Sequence, residues 1–208
     1  MKFAPIVPVL ALSVVGVAHA QSVLAPPTEI NVPDGFEPGL TQNQPVRGVT
    51  IGDFQVTFEK TTLKQARAAL GAIPIGHRGD AGGSLYWICY TIPAIQSRVW
   101  LLSNEIGGGE DITGMIAKPV SPTEVENLKC PTPTNHATTV FIDKKIWLGD
   151  SIGKIESVLG KSVKFSESIR YYWYSGEAKN GFTVESSLFM RLDGDKVTEL
   201  QATHISTN

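Results

Sequence analysis

The sequence predicts an α+β chain of two tandem units, each a short helix packed on a small antiparallel sheet. Three observations carry this expectation. Residues 61–71 align without gaps on residues 150–160. Matching strand candidates follow both aligned stretches. Residues 182–192 alternate apolar and polar side chains, the pattern of a strand with one buried and one wet face.

The aligned stretches read as helices. Both open with residues whose side-chain oxygens can cap a helix N-terminus, Thr61-Thr62 and Asp150-Ser151, with helices expected at 62–70 and 151–159. Gly71 and Gly160 suit the left-handed C-terminal caps. Leu63, Ala66, Ala69 and Leu70 in one, and Ile152, Ile155, Val158 and Leu159 in the other, form a single apolar stripe. A strand is expected before each helix, at 55–58 and 140–147. Three are expected after each: 83–93, 98–106 and 112–121 in the first unit, and 169–176, 182–192 and 197–206 in the second. Gly107-Gly108-Gly109 and Asp193-Gly194-Asp195 have hairpin-turn compositions.

The expected organisation is a signal peptide at 1–20, a flexible N-terminal tail at 21–48, a first unit at 49–121, a linker at 122–138 and a second unit at 139–208. Lys2, the apolar run Ile6 to Val17 and the small-x-small triplet Ala18-His19-Ala20 read as a cleavable export signal, with an uncut anchor as the alternative. The run is too short to span a bilayer as a helix, which takes about 20 residues. Cleavage places Gln21, not a lipid-accepting Cys, at the new terminus. The mature chain carries 17 basic against 20 acidic side chains with no basic run, which argues against nucleic acid. An exported chain meets an oxidising compartment, so Cys89 and Cys130 are expected to form a disulfide; two buried free thiols are the alternative.

Ile146-Trp147-Leu148-Gly149-Asp150-Ser151 followed by Val158-Leu159-Gly160 resembles the signature of the SmpA/OmlA and β-lactamase-inhibitory-protein superfamily. The resemblance extends over about residues 49–207, in the tandem-repeat form. It implies short helical segments on small antiparallel sheets. Its single-unit members are outer-membrane assembly lipoproteins, and its tandem-unit members resemble a secreted inhibitor that grips an enzyme with a concave double sheet. The first unit departs from the signature, with Phe58-Glu59-Lys60 where the second has Trp147-Leu148-Gly149.

Catalytic chemistry is not apparent. His77, His136 and His204 lack metal-ligand spacing, and no nucleophile elbow or phosphate-cradling loop appears, so no cofactor or metal is expected. His77-Arg78-Gly79-Asp80 reads as a solvated helix-to-strand loop, or as a loop offering charged contacts. Aromatics on the strands are the better lead. In 182–192 the parity of Val184, Leu188, Met190 and Leu192 is assigned to the core, leaving Phe189 and Arg191 to water. Arg170 is taken to mark the open parity of its strand, which carries Tyr172 and Tyr174 with it and sends Trp173 inward. Trp87 aligns with Trp173, leaving Tyr86, Tyr90, Arg98 and Trp100 open on the first unit. Exposed aromatics beside arginine are the composition of a protein-binding hot spot. The sequence therefore reads as a non-enzymatic, periplasmic or secreted module, an inhibitor-like or envelope-assembly partner of another exported protein. The alternatives are a cell-envelope enzyme or a structural envelope protein.

Overall fold

The computed structural model describes residues 24–33, 36–80, 83–121, 130–178 and 181–208. The expected signal peptide and residues 122–129 of the expected linker lie outside the described residues.

The two helices form where their caps place them: α1 is Leu63–Leu70 and α2 is Ile152–Leu159. Thr62 Oγ1 accepts the Gln65 amide at 3.1 Å while Gln65 Oε1 accepts the Thr62 amide at 2.8 Å, so two otherwise orphaned donors are satisfied reciprocally. Ser151 Oγ accepts the Lys154 amide at 3.2 Å. Gly71 and Gly160 close the helices with φ of 119° and 88°, a region that a β-carbon disfavours. Leu63, Ala66 and Leu70 of α1, and Ile155 and Leu159 of α2, are buried, whereas Val158 is exposed.

Among the described residues there are eleven strands: β1 (Gly48–Ile51), β2 (Phe54–Thr57), β3 (Gly76–Arg78), β4 (Leu85–Ile92), β5 (Ser97–Asn104), β6 (Gly114–Pro119), β7 (Val140–Ile142), β8 (Val163–Lys164), β9 (Ile169–Glu177), β10 (Thr183–Asp193) and β11 (Lys196–Thr207). They build an eight-stranded antiparallel sheet in the order β3-β4-β5-β6-β11-β10-β9-β8, and a three-stranded sheet in the order β2-β1-β7. This overturns the expected fold class. The chain is mostly β, and it does not build two units that each pack a helix on a small sheet of their own. Two pairings explain the difference. β6 and β11 pair with each other, with Ala117 opposite Leu200 and Met115 opposite Ala202, so the strands form one continuous sheet. β1, from before α1, pairs with β7, from before α2, so the strands preceding the helices leave the large sheet and make their own.

Side-chain parity gives the large sheet two faces. The inner face carries Ile88, Tyr90, Val99, Leu101, Met115, Ala117, Leu200, Ala202, Leu188, Met190 and Tyr172, in register across six strands. The helices and the small sheet cover it, and one buried cluster runs through all of them. The outer face carries Trp87, Cys89, Trp100, Ile116, Gln201, Phe189, Tyr171 and Trp173.

The disulfide is present: Cys89 of β4 is bonded to Cys130 with 5.1 Å between α-carbons, which anchors the chain after the undescribed 122–129 to the sheet. The adjoining Pro131 carbonyl accepts the Thr91 amide at 3.0 Å. No helix among the described residues is long and apolar enough to cross a membrane.

Candidate functional site: the outer face and its peptide cover

The expected flexible tail is a packed part of the fold. Leu24 and Ile30 are each only 3% exposed, and Val46 is fully buried. From Leu24 to Thr41 the described chain makes no strand or helix, yet its polar contacts run across the outer face. Trp100 Nε1 donates to the Ala25 carbonyl at 2.9 Å. The Ile30 amide donates to Gln201 Oε1 at 2.7 Å. The Gly39 amide donates to the Tyr171 hydroxyl at 2.8 Å. The Thr41 amide donates to the Trp173 carbonyl at 2.6 Å. Phe36 sits with its ring edge-on to Phe165, Tyr171 and Phe189, at 5.2, 5.3 and 6.2 Å between centroids. Ile30 and Phe36 thereby close a second apolar cluster with Ile169, Tyr171 and Phe189. Beyond Thr41 the chain reaches the other side of the sheet, where the Val46 carbonyl accepts Ser186 Oγ at 2.9 Å.

The sequence-expected site residues divide between the faces. Phe189 and Arg191 are on the parity assigned to them, opposite to Leu188 and Met190. Phe189 is nevertheless 4% exposed, because the N-terminal segment lies on it. Tyr172 and Tyr174 point inward, the reverse of the expectation, and Tyr171 and Trp173 take the outer face. Arg170 misleads because it stands on the inner parity, opposite Met190, yet stays only half-buried with its Nη1 donating to the Ser166 carbonyl at 2.8 Å. Tyr86 and Tyr90 are inward as well, and only Arg98 and Trp100 of the first set are outward. Trp87 is outward rather than on the helix-facing core; its indole lies over Gly76 of the neighbouring strand, where a β-carbon would come within 2.2 Å of Cε2.

The inward tyrosines have a common role. Tyr90 donates its hydroxyl to the Gly71 carbonyl at 2.7 Å, and Tyr172 donates to the Gly160 carbonyl at 2.8 Å. Each satisfies a carbonyl at the end of a helix, one of the acceptors that a helix leaves open. Burial pushes both phenols far up. The Glu156 carboxylate adds to the rise at Tyr172, and the Arg67 charge opposes it at Tyr90. Both therefore stay protonated donors at ordinary pH. Tyr86 instead stacks on His77, 4.4 Å between centroids. The expected loop at 77–80 thus begins as strand β3, and its Arg78 ion-pairs with Glu29 of the N-terminal segment at 2.6 Å.

Arg98 and Arg191 do share a surface. Arg98 is opposite Lys118, and Arg191 is opposite Glu199. Glu199 bridges the two halves of this row, at 3.3 Å from Lys118 and 3.0 Å from Arg191. The Arg98 guanidinium also lies 5.9 Å from the Trp100 ring centroid. A row of charged side chains, in which Glu199 is shared by Lys118 and Arg191, therefore borders the covered aromatic surface.

On the other side of the sheet, Tyr174 lines a cleft of about 360 Å³ with Gln44, Arg47, Lys60, Glu177 and His204. Gln44 Nε2 donates to His204 Nδ1 at 2.6 Å, which leaves the ring proton on Nε2, 3.5 Å from Glu59 Oε2. Glu59 is itself held by the Ser206 hydroxyl at 2.7 Å. Burial lowers the affinity of His204 for a proton, reinforced by Arg47 and opposed by Glu59 and Asp143. The unfolded imidazole, with its ordinary value near 6.5, takes up a proton first as pH falls. Stability carried by neutral His204 is thus complete above that value and is lost progressively as pH falls below it and through the lower value of the folded state. Urea titrations from pH 8 to pH 5 should show a larger fall in midpoint for the wild type than for His204→Gln. Parallel curves would remove His204 from the cause. Sequence reasoning missed this cluster, because Gln44, Glu59 and His204 are distant along the chain and none sits in a motif.

Among the described residues no group of three or more His, Cys, Asp or Glu side chains is placed to hold a metal ion. Comparison of the chain with protein-family models, with curated proteins and with solved structures gives no match in any of the three.

Proposed function

We propose that this protein is an exported, non-enzymatic binding module whose outer sheet face receives an extended segment of another exported or envelope protein, in the place now filled by its own residues 24–41. One observation carries the reading. Trp100, Gln201 and Tyr171, side chains from three different strands, all direct their polar atoms at the main chain of an irregular peptide. Side chains that hold main-chain groups accept many sequences, while apolar sockets such as the one around Phe36 select a few anchors. Lys118 and Arg191, which share the single carboxylate of Glu199 beside the socket, favour a partner with acidic residues next to its apolar anchors. The leader-like N-terminus and the disulfide support export, to the periplasm or beyond. The superfamily resemblance, with its sheet-face inhibitors, agrees with this reading.

The test is exchange. A protease site introduced between the exposed residues Gln42 and Asn43 allows the strap to be cut in the folded protein. A labelled synthetic peptide of residues 24–42 should then replace the nicked strap with saturable affinity. The same peptide with Phe36 and Ile30 both changed to Ala should bind at least about tenfold more weakly, since each buried apolar anchor is worth roughly 1.5–3 kcal/mol. If excess peptide never displaces the nicked strap short of global unfolding, the segment is ordinary core and the reading fails.

A further inference from the structure

A cleft of about 450 Å³ lies beside α1, away from the outer face, lined by Thr62, Leu63, Lys64, Arg67 and Ile75, with Gly109 and Glu110 on its rim. Its walls combine an apolar side, with Ile75 41% exposed, and two cations one helical turn apart. Arg67 Nε is buried and has no hydrogen-bond partner among the described residues. A buried donor on a charged group left unmade is costly, so such a group calls for a partner.

The aligned position on α2 sharpens the contrast. Arg67 aligns with Glu156, and that charge is answered within the chain. Glu156 Oε2 receives Lys161 Nζ at 2.8 Å, while Oε1 receives the Ser162 hydroxyl at 2.6 Å and its amide at 3.2 Å. Partial burial works against ionisation of Glu156, and these donors outweigh it and hold the carboxyl below its usual range. Residues 72–75, which follow α1, are Ala, Ile, Pro and Ile and offer no acid. Glu110, the acidic residue among those lining the cleft, is exposed and forms no ion pair with Arg67. Lys64, in the first turn of α1, also stands where the helix dipole disfavours a cation.

We propose that this cleft binds a monocarboxylate with an apolar body, its carboxylate on Arg67 and Lys64 and its apolar part against Ile75. Guanidinium recognises carboxylate by paired, charge-assisted hydrogen bonds, and a turn of the Arg67 side chain toward the ligand would bring its shielded Nε into that fork. The same chemistry is presented by a fatty acid and by an apolar C-terminal residue of a peptide. The experiment separates them.

The full chain is titrated by calorimetry with octanoate, octan-1-ol, and the peptide Ala-Ala-Ala-Leu with a free or an amidated carboxyl. Saturable binding of octanoate or of the free-acid peptide is expected, with the uncharged counterpart about tenfold weaker. The stronger of the two carboxylates identifies the source. Arg67→Met should weaken binding about tenfold or more, and Glu110→Gln, which removes a repelling charge at the rim, should strengthen it about threefold. Melting curves establish that each variant is folded. Should Arg67→Met unfold, Lys64→Gln replaces it, with weaker binding expected. Absence of saturable binding at millimolar concentration, equal binding of octanoate and octan-1-ol, or unchanged affinity in the folded cation variant would each overturn the proposal.

Discussion

Tyr172→Ala is expected to lower stability by about 3–5 kcal/mol, the usual cost of emptying a buried aromatic site. The residue is 1% exposed on the inner face, and its hydroxyl satisfies the carbonyl that closes α2. Tyr172→Phe keeps the ring and loses the bond, so about 1 kcal/mol is expected. Tyr90→Phe should match it, because Tyr90 holds the Gly71 carbonyl in the same way. Chemical denaturation of the three variants checks the ordering. A Tyr172→Ala protein that melts with the wild type would mean that the ring faces water, as the pattern around Arg170 suggests, and that the inner and outer faces of β9 are exchanged.

Loss of the Cys89–Cys130 bond should cost nearly as much. The two residues are 41 apart in sequence, and closing a loop of that size removes about 4 kcal/mol of freedom from the unfolded chain in the chain-entropy account. For a chain of this size that corresponds to a melting temperature lower by roughly 8–15 °C. Both Cys89→Ala/Cys130→Ala and wild type in reductant should show the fall, and reductant should do nothing further to the double variant. A difference below about 1 kcal/mol would mean that the reduced chain keeps the loop closed by its other contacts, the Thr91 amide to the Pro131 carbonyl among them.

The parts of this structure legible in the sequence are those fixed by neighbours along the chain. The capping residues that open each aligned stretch, and Gly71 and Gly160 that close them, delimit the helices within a residue, since capping is local chemistry. The parity of β10 is legible because Val184, Leu188, Met190 and Leu192 alternate with polar residues over a long strand. β9 defeats the same reasoning. Its two faces both carry aromatics, and the polar residue chosen to separate them, Arg170, stands on the inner parity and reaches the carbonyl of Ser166, just before the strand. The partnership of β6 with β11 is not encoded in either strand alone: Met115, Ala117, Leu200 and Ala202 would pack equally well in separate sheets. The cover over the outer face is hidden for another reason. Leu24, Ile30 and Phe36 fall six residues apart among prolines and polar residues, a spacing that matches neither a strand nor a helix. Trp100, Phe189, Arg98 and Arg191 share the outer parity, but the N-terminal segment lies on Trp100 and Phe189, where the sequence pattern suggests an open face.

The place of β11 has a consequence for how this sheet is made. It follows the other ten strands in the chain, yet it stands between β6 and β10, at the middle of the eight. While the chain emerges in order, β4, β5 and β6 can zip as one ribbon and β9 with β10 as another. Each ribbon ends in a strand whose outward amides and carbonyls await the same missing neighbour. Such edges invite pairing between molecules. The closing step joins residues as far apart as Gly114 and Thr203, so it pays a large loop entropy and should be slow. Folding yield ought then to depend on chain concentration before β11 is seated and not after. A holding chaperone would be most useful in that interval, and the completed centre of the sheet is the part expected to exchange its amide hydrogens last.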